Sequence, residues 1–178
     1  KRDQLDKITE WVHFRPAAET DALIKILTPA SSDLEPLMFF EIAVRKLRQD
    51  NIEEALFWSQ LGRYRMRYDA LRCGPGDPPP VLTQMLDLLS APKTRMLLAE
   101  HPELLKKTLR KVLDFDKKYP AQNSPAFICK IVKKLNRDSS PLVPKKDWGN
   151  IRQQLRITTE VFLKSPDNTK IPDTKKTK

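Results

Sequence analysis

The chain has 178 residues, enough for one domain with its own core, of which 39% are hydrophobic and 31% charged, with a formal net charge of +10. No run approaches the ~20 apolar residues of a membrane helix, and two cysteines are too few for a disulfide scaffold. Four glycines against fifteen prolines, and no clustered alternating runs of Val, Ile and Thr, favour an all-α domain whose helices are separated by prolines.

At the N-terminus, Leu5, Ile8, Trp11 and Val12 share one helical face, with Asp3 in position to cap it and Pro16 to end it. A short helix follows over "AAETDALIKIL", with Thr28-Pro29 as its stop. The clearest unit is a hairpin over 33–73. Asp33 is placed to cap its first helix, with Glu35-Pro36 in the first turn and Phe39, Phe40, Ala43, Val44 and Leu47 directed inward. Asp50-Asn51 makes the turn. The second helix runs from Ile52 to about Cys73, with Glu53 and Glu54 complementing its dipole. Its centre, "RYRMRY", alternates basic and large residues as a strand would. No breaker precedes Gly74, however, so the alternation sits on a helix, where Arg63 and Arg67 align, as do Tyr64 and Tyr68. The two tyrosines are expected at the core edge with their hydroxyls near solvent. Ala55, Ser59, Gly62 and Met66 make a small-residue seam for the first helix.

A Pro/Gly linker over 74–80 separates this hairpin from a basic helical half over 81–164. The half begins with "PVLTQMLDLLS" and "KTRMLLAE". The next helix starts at Pro102, with Leu105, Leu109, Val112 and Phe115 or Asp116 as its buried stripe. Ser124 and Pro125 open another, with Phe127, Ile128, Ile131 and Leu135 packing. A last helix, Asp147 to about Lys164, turns Trp148, Ile151, Leu155, Thr158 or Thr159, and Phe162 to one side. The expected architecture is a compact bundle of about six to eight helices over 1–164, followed by a flexible, disordered basic tail over 165–178.

The charge is uneven. Residues 1–100 carry 14 Lys+Arg and 15 Asp+Glu, and residues 101–178 carry 19 and 8, so the halves balance at −1 and +11. An acidic protein surface, nucleic acid or an anionic membrane surface would each feel that field. The basic residues put forward for a partner are Arg63, Arg65 and Arg67 on the hairpin, and Lys106, Lys107, Arg110, Lys111, Lys133 and Lys134 beyond it. Arg65 and Arg67 have Glu41, Glu53 and Asp69 as alternative partners within the hairpin.

Catalytic groups are sparse. The histidines, His13 and His101, lie near helix ends, and no Cys/His cluster has metal spacing. A pairing of Cys129 with His101 has no local support. Gly74-Pro75-Gly76 follows a helix and reads as a stop, not a phosphate loop. Glu53 and Glu54 belong to a helix start, and Asp114 and Asp116 do not share a face. The expectation is a non-enzymatic chain with no metal or cofactor. Cys73 and Cys129 form either one bridge or two buried thiols.

The hairpin resembles one tetratricopeptide unit, with Phe39, Ile42, Ala43, Ala55 and Gly62 at its motif positions. Lys46, Ser59 and Arg67 depart from it, and no second copy follows at that period. The stretch "EEALFWSQLGRYRMR" further resembles a group of little-characterised bacterial helical proteins. Glu54, Ala55, Phe57, Trp58, Gly62, Arg65 and Arg67 match, while Ser59, Gln60 and Arg63 depart. This second resemblance covers about a quarter of the chain, and the two together give Phe39, Ala43, Ala55, Trp58 and Gly62 structural roles. It implies an exported protein that binds another protein, in the manner of immunity proteins that neutralise toxins of type VI-like secretion systems. The chain does not begin with Met, so a periplasmic location is favoured if a leader was removed, and a cytoplasmic one otherwise. The alternative is a basic nucleic-acid-binding helical protein, on charge alone.

Overall fold

A computed structural model describes residues 16–74, 86–87, 89–136 and 141–165. The expected N-terminal helix, the linker beyond Gly74, most of the short helix after it and the C-terminal tail lie outside these residues. Among the described residues, seven longer helices make a compact all-α fold: α1 (Thr20–Ala30), α2 (Pro36–Arg48), α3 (Ile52–Leu71), α4 (Pro92–Glu100), α5 (Pro102–Lys118), α6 (Ala126–Asn136) and α7 (Trp148–Lys164). Among the described residues there is no strand.

Prolines set several of the starts. Pro36, Pro92 and Pro102 each open a helix, where the missing N–H costs no intrahelical bond. The N-cap of α2 is Glu35 rather than Asp33, which lies in the preceding turn. Pro29 does not stop α1. It occupies the last turn, while the Thr28 hydroxyl donates to the Ile24 carbonyl at 2.7 Å. Asp50 takes a left-handed conformation, φ 54°, which a short polar side chain tolerates. The Asn51 side chain then caps α3 by accepting from the Glu54 N–H at 3.2 Å.

The 20-residue α3 is the axis of the fold. It packs against α2, α4, α5, α6 and α7, and only Glu53, Glu54 and Arg67 along it are exposed. A helix enclosed on all sides has no polar face. Its polar residues are therefore buried with the rest, including Ser59, Gln60, Arg65 and Asp69. Two apolar clusters flank it. One gathers Leu23, Phe39, Trp58, Leu61, Val112 and Leu155. The other gathers Phe40, Met66, Ile128 and Val132 around a disulfide between Cys73 and Cys129. α2 approaches α3 closely at Gly62, where a Cβ would lie 2.8 Å from the Phe40 ring. The bare backbone of this glycine is what admits the ring.

Several inward faces differ from expectation. On α2, Val44 and Leu47 are half-buried, while Arg45 and Lys46 are fully enclosed because α1 covers that side. On α6 the buried row is Ile128, Cys129 and Val132, and Phe127 is 43% exposed, because the disulfide fixes which side meets α3. On α7, Leu163 packs inward in place of Phe162.

Candidate interaction surface

The basic residues separate into a buried set and an outer set. Arg65 is only 2% exposed, so it is not presented to a partner. Its Nε lies 3.0 Å from Asp116 Oδ1 of α5, close but not aligned as a hydrogen bond, and its Nη2 donates to the Tyr119 carbonyl. Neither Glu41 nor Glu53 nor Asp69 is its ion-pair partner. Glu41 pairs with Arg45, Glu53 with Lys107 and Lys111, and Asp69 with Arg72.

Asp69 and Arg72 form a sealed knot one turn before the disulfide. Asp69 Oδ2 accepts from Asn123 Nδ2 at 2.9 Å, and Arg72 Nη1 donates to the Asn123 carbonyl at 3.0 Å. The Arg72 guanidinium is sandwiched between the Tyr68 and Trp148 rings, 4.2 and 4.3 Å from their centroids. Burial pushes the Asp69 carboxyl up to about 6, against the pull of Arg72 and Asn123. Burial likewise raises Asp116, opposed by Arg65. From α7, Arg152 donates to the Ala121 carbonyl, and Arg156 donates to the Leu113 carbonyl at 3.1 Å. Arg65 of α3 thus satisfies the carbonyl at the C-terminal cap of α5, where the helix dipole favours positive charge, while Arg152 and Arg156 of α7 reach carbonyls just beyond that end and within the helix. The tyrosine hydroxyls are inside as well. Tyr68 donates to the Trp148 carbonyl at 3.1 Å, and the Tyr64 hydroxyl is buried without a partner. Burial raises both phenols.

The outer set is centred on α5. Lys107, Arg110, Lys111, Lys117 and Lys118 are exposed, interrupted by Glu103 and Asp114, so the face carries a net positive charge. Lys111 donates to Glu53 of α3 at 2.6 Å, and Lys107 lies 3.2 Å from the same carboxylate. These lysines hold Glu53 below the usual carboxylate range. Lys106 turns toward the end of α7 and donates to the Ser165 carbonyl at 2.6 Å. Arg67 and Lys134 are exposed and Lys133 is half-buried, but they sit on other helices. Arg63 is half-buried, bonded to Asp87 at 2.9 Å and to Ser90 at 3.2 Å.

Beside the α5 face, at the start of α3, is an open cleft of about 430 Å³. Ile24, Phe57 and Trp58 line its apolar part, and Asn51, Glu53, Glu54 and Lys111 its polar part. Beneath it Phe57, Trp58 and Phe115 stack edge to face, with ring centroids 5.0 to 5.8 Å apart. One wall rests on Lys46, buried under Asp21 and Glu54. Burial opposes its charge, yet hydrogen bonds to both carboxylates hold it above the usual lysine range. The sequence flagged Lys46 only as a departure from a repeat motif. Its position one turn before the hairpin corner, with Glu54 just after it, is the signal that pairs them.

The residues screened for chemistry stay apart. Cys129 is held in the disulfide, and His101 is exposed beside Glu103, its Nδ1 3.3 Å from a carboxylate oxygen. Asp114 is exposed and Asp116 buried. His13 lies outside the described residues. Among the described residues no group of His, Cys, Asp and Glu could hold a metal ion, and no helix is long and apolar enough to cross a membrane.

The fold and its surface define an all-α bundle with an ion-paired interior, a basic outer helix and an aromatic-floored cleft. No known protein family, curated protein or solved structure matches the chain.

Proposed function

We propose that the chain is a non-enzymatic protein-binding module that docks an acidic partner on the outer face of α5. The observation that carries this reading is the row Lys107, Arg110 and Lys111 beside the cleft floored by Phe57 and Trp58. Exposed lysines and arginines speed the approach of an acidic surface. A cleft of this size takes one or two anchoring side chains, and buried anchors carry most of the energy of a protein interface. The resemblance of the hairpin favours one class of partner: a secreted bacterial toxin, neutralised by direct binding.

The test is titration calorimetry of the purified chain against the protein products of its neighbouring genes. The expected result is a complex weakened by salt and lost in the triple variant Lys107→Glu, Arg110→Glu, Lys111→Glu. All three residues are exposed, and the pairs of Lys107 and Lys111 with Glu53 lie at the surface, so the variant itself should stay folded. The absence of binding to any neighbouring product, or binding indifferent to the triple reversal, would overturn the reading. Salt-dependent retention of unrelated DNA or RNA by the same face would replace the protein partner with nucleic acid.

A further inference from the structure

Among the described residues from Tyr119 to Lys146 there are five lysines and no acid, and the two charges in between, Arg137 and Asp138, cancel. That stretch supplies +5 of the chain's net +10. Its lysines are also unanswered. On α5, Lys107 and Lys111 share Glu53 and Lys106 is bonded to Ser165, whereas Lys130, Lys133, Lys134, Lys145 and Lys146 meet no carboxylate among the described residues. α6 buries Ile128, Cys129 and Val132, and so turns Phe127, Lys130 and Lys134 outward in one row at helical spacing. Lys145 and Lys146 are exposed on the strap that leads into α7. The disulfide brings the two together. The Val143 N–H donates to the Arg72 carbonyl at 3.0 Å, and the next residue, Cys73, is bridged to Cys129 of α6. The Trp148 indole N–H donates to the Val143 carbonyl at 2.9 Å, so the strap is pinned at Val143 with Pro141, Leu142 and Pro144 exposed around it. Phe127 on α6 and Leu142 on the strap are each 43% exposed.

We infer that this surface lies against an anionic phospholipid membrane, with the lysines on the headgroups and Phe127 and Leu142 reaching the acyl boundary. Charge calls for an anionic partner, and the kind of cation narrows it. All five are lysine. Arginine, not lysine, is enriched in protein interfaces and grips phosphates and carboxylates with two parallel bonds, so a set made of lysine alone attracts diffuse charge rather than one geometry. Phe127 and Leu142 project singly from two elements. An acyl layer accepts such side chains, whereas a folded partner has to match each with its own pocket. Nucleic acid stacks a base on an aromatic ring but leaves Leu142 in water. None of these residues belongs to the α5 face proposed for the protein partner.

The test is co-sedimentation of the full chain with vesicles of phosphatidylserine and phosphatidylcholine in equal parts, and with vesicles of phosphatidylcholine alone. The chain should bind the mixed vesicles, less tightly as salt rises, and leave the neutral ones. Lys130→Gln combined with Lys134→Gln should weaken binding ~30-fold, since each lysine near an anionic surface contributes about fivefold. Phe127→Ser and, separately, Leu142→Ser should each weaken it about fivefold at every salt concentration, which marks insertion rather than charge. All four sites are exposed, and circular dichroism checks that each variant is folded. Arg110→Gln combined with Lys117→Gln removes the same charge from α5 and should weaken binding less than about threefold. Four results would each overturn the inference: no binding to mixed vesicles at low salt, equal binding to neutral vesicles, a loss no greater for the α6 pair than for the α5 pair, or binding indifferent to both apolar substitutions. Tighter binding of single-stranded DNA than of mixed vesicles would replace the lipid with nucleic acid.

Discussion

The disulfide is the perturbation whose size follows most directly from the fold. Cys73 ends the α3 region, Cys129 lies in α6, and 56 positions separate them. α6 packs mainly on α3, so the bridge and the cluster of Phe40, Met66, Ile128 and Val132 hold the same contact. Closing a loop of that length removes chain entropy from the unfolded state worth about 4 kcal/mol. Replacing both cysteines by alanine removes that restraint and leaves the apolar cluster nearly intact. With a denaturant slope of about 2 kcal/mol/M, the urea midpoint should fall by about 2 M. The assay is urea unfolding followed by far-UV circular dichroism and, in parallel, by tryptophan fluorescence. The two signals sample different parts of the fold: fluorescence includes Trp58 in the other cluster and Trp148 against Arg72, and helicity includes α6. A double variant unfolding at the wild-type midpoint would refute the reasoning. It would mean that the α3–α6 contact already persists in the unfolded chain, or contributes nothing to the transition.

The remaining predictions concern the buried polar groups and the helix crossing. Arg65→Met should cost about 3–5 kcal/mol in urea unfolding, because it strands Asp116 in the interior. The double variant Arg65→Met, Asp116→Leu should be more stable than that single one, and an additive result would show the pair to be uncoupled. Gly62→Ala should lower the melting temperature, at a cost of about 1–3 kcal/mol, because its Cβ meets the Phe40 ring at 2.8 Å. On an open helix the same change would stabilise, so the sign alone tests the close approach. Asp69 has a folded pKa of about 6 against an ordinary value of 3.8. Between those values the native state binds more protons than the unfolded state, so stability falls as pH rises through that window. Relative to Asp69→Asn, wild type should lose about 2 kcal/mol between pH 4 and pH 7, and parallel pH profiles of the two would refute it.

The sequence by itself determined the elements. Helix starts at Pro36 and Pro102, the corner at Asp50-Asn51 and the end of α3 near Cys73 are all local chemistry, legible from proline, capping side chains and dipole-matched acids. The small-residue seam through Gly62 was legible too, since close helix approach requires it. Tertiary structure alone decided what each charge does. Arg63, Arg65 and Arg67 are two residues apart on one helix and differ in fate: half-buried on Asp87, enclosed on Asp116, and exposed. A helix turns 100° per residue, so neighbours in sequence face different surroundings. For Arg65 those surroundings are α5 and Tyr119, which arrive from more than fifty positions away, and for Arg63 they are Asp87 and Ser90, more than twenty away. The same physics separates α6 and α7 from their expected faces by a residue. Periodicity fixes the width of an apolar stripe, and the disulfide and the arginine contacts fix its rotation. That is why the basic face of α5 could be anticipated from its lysines, while the cleft beside it required the packed chain.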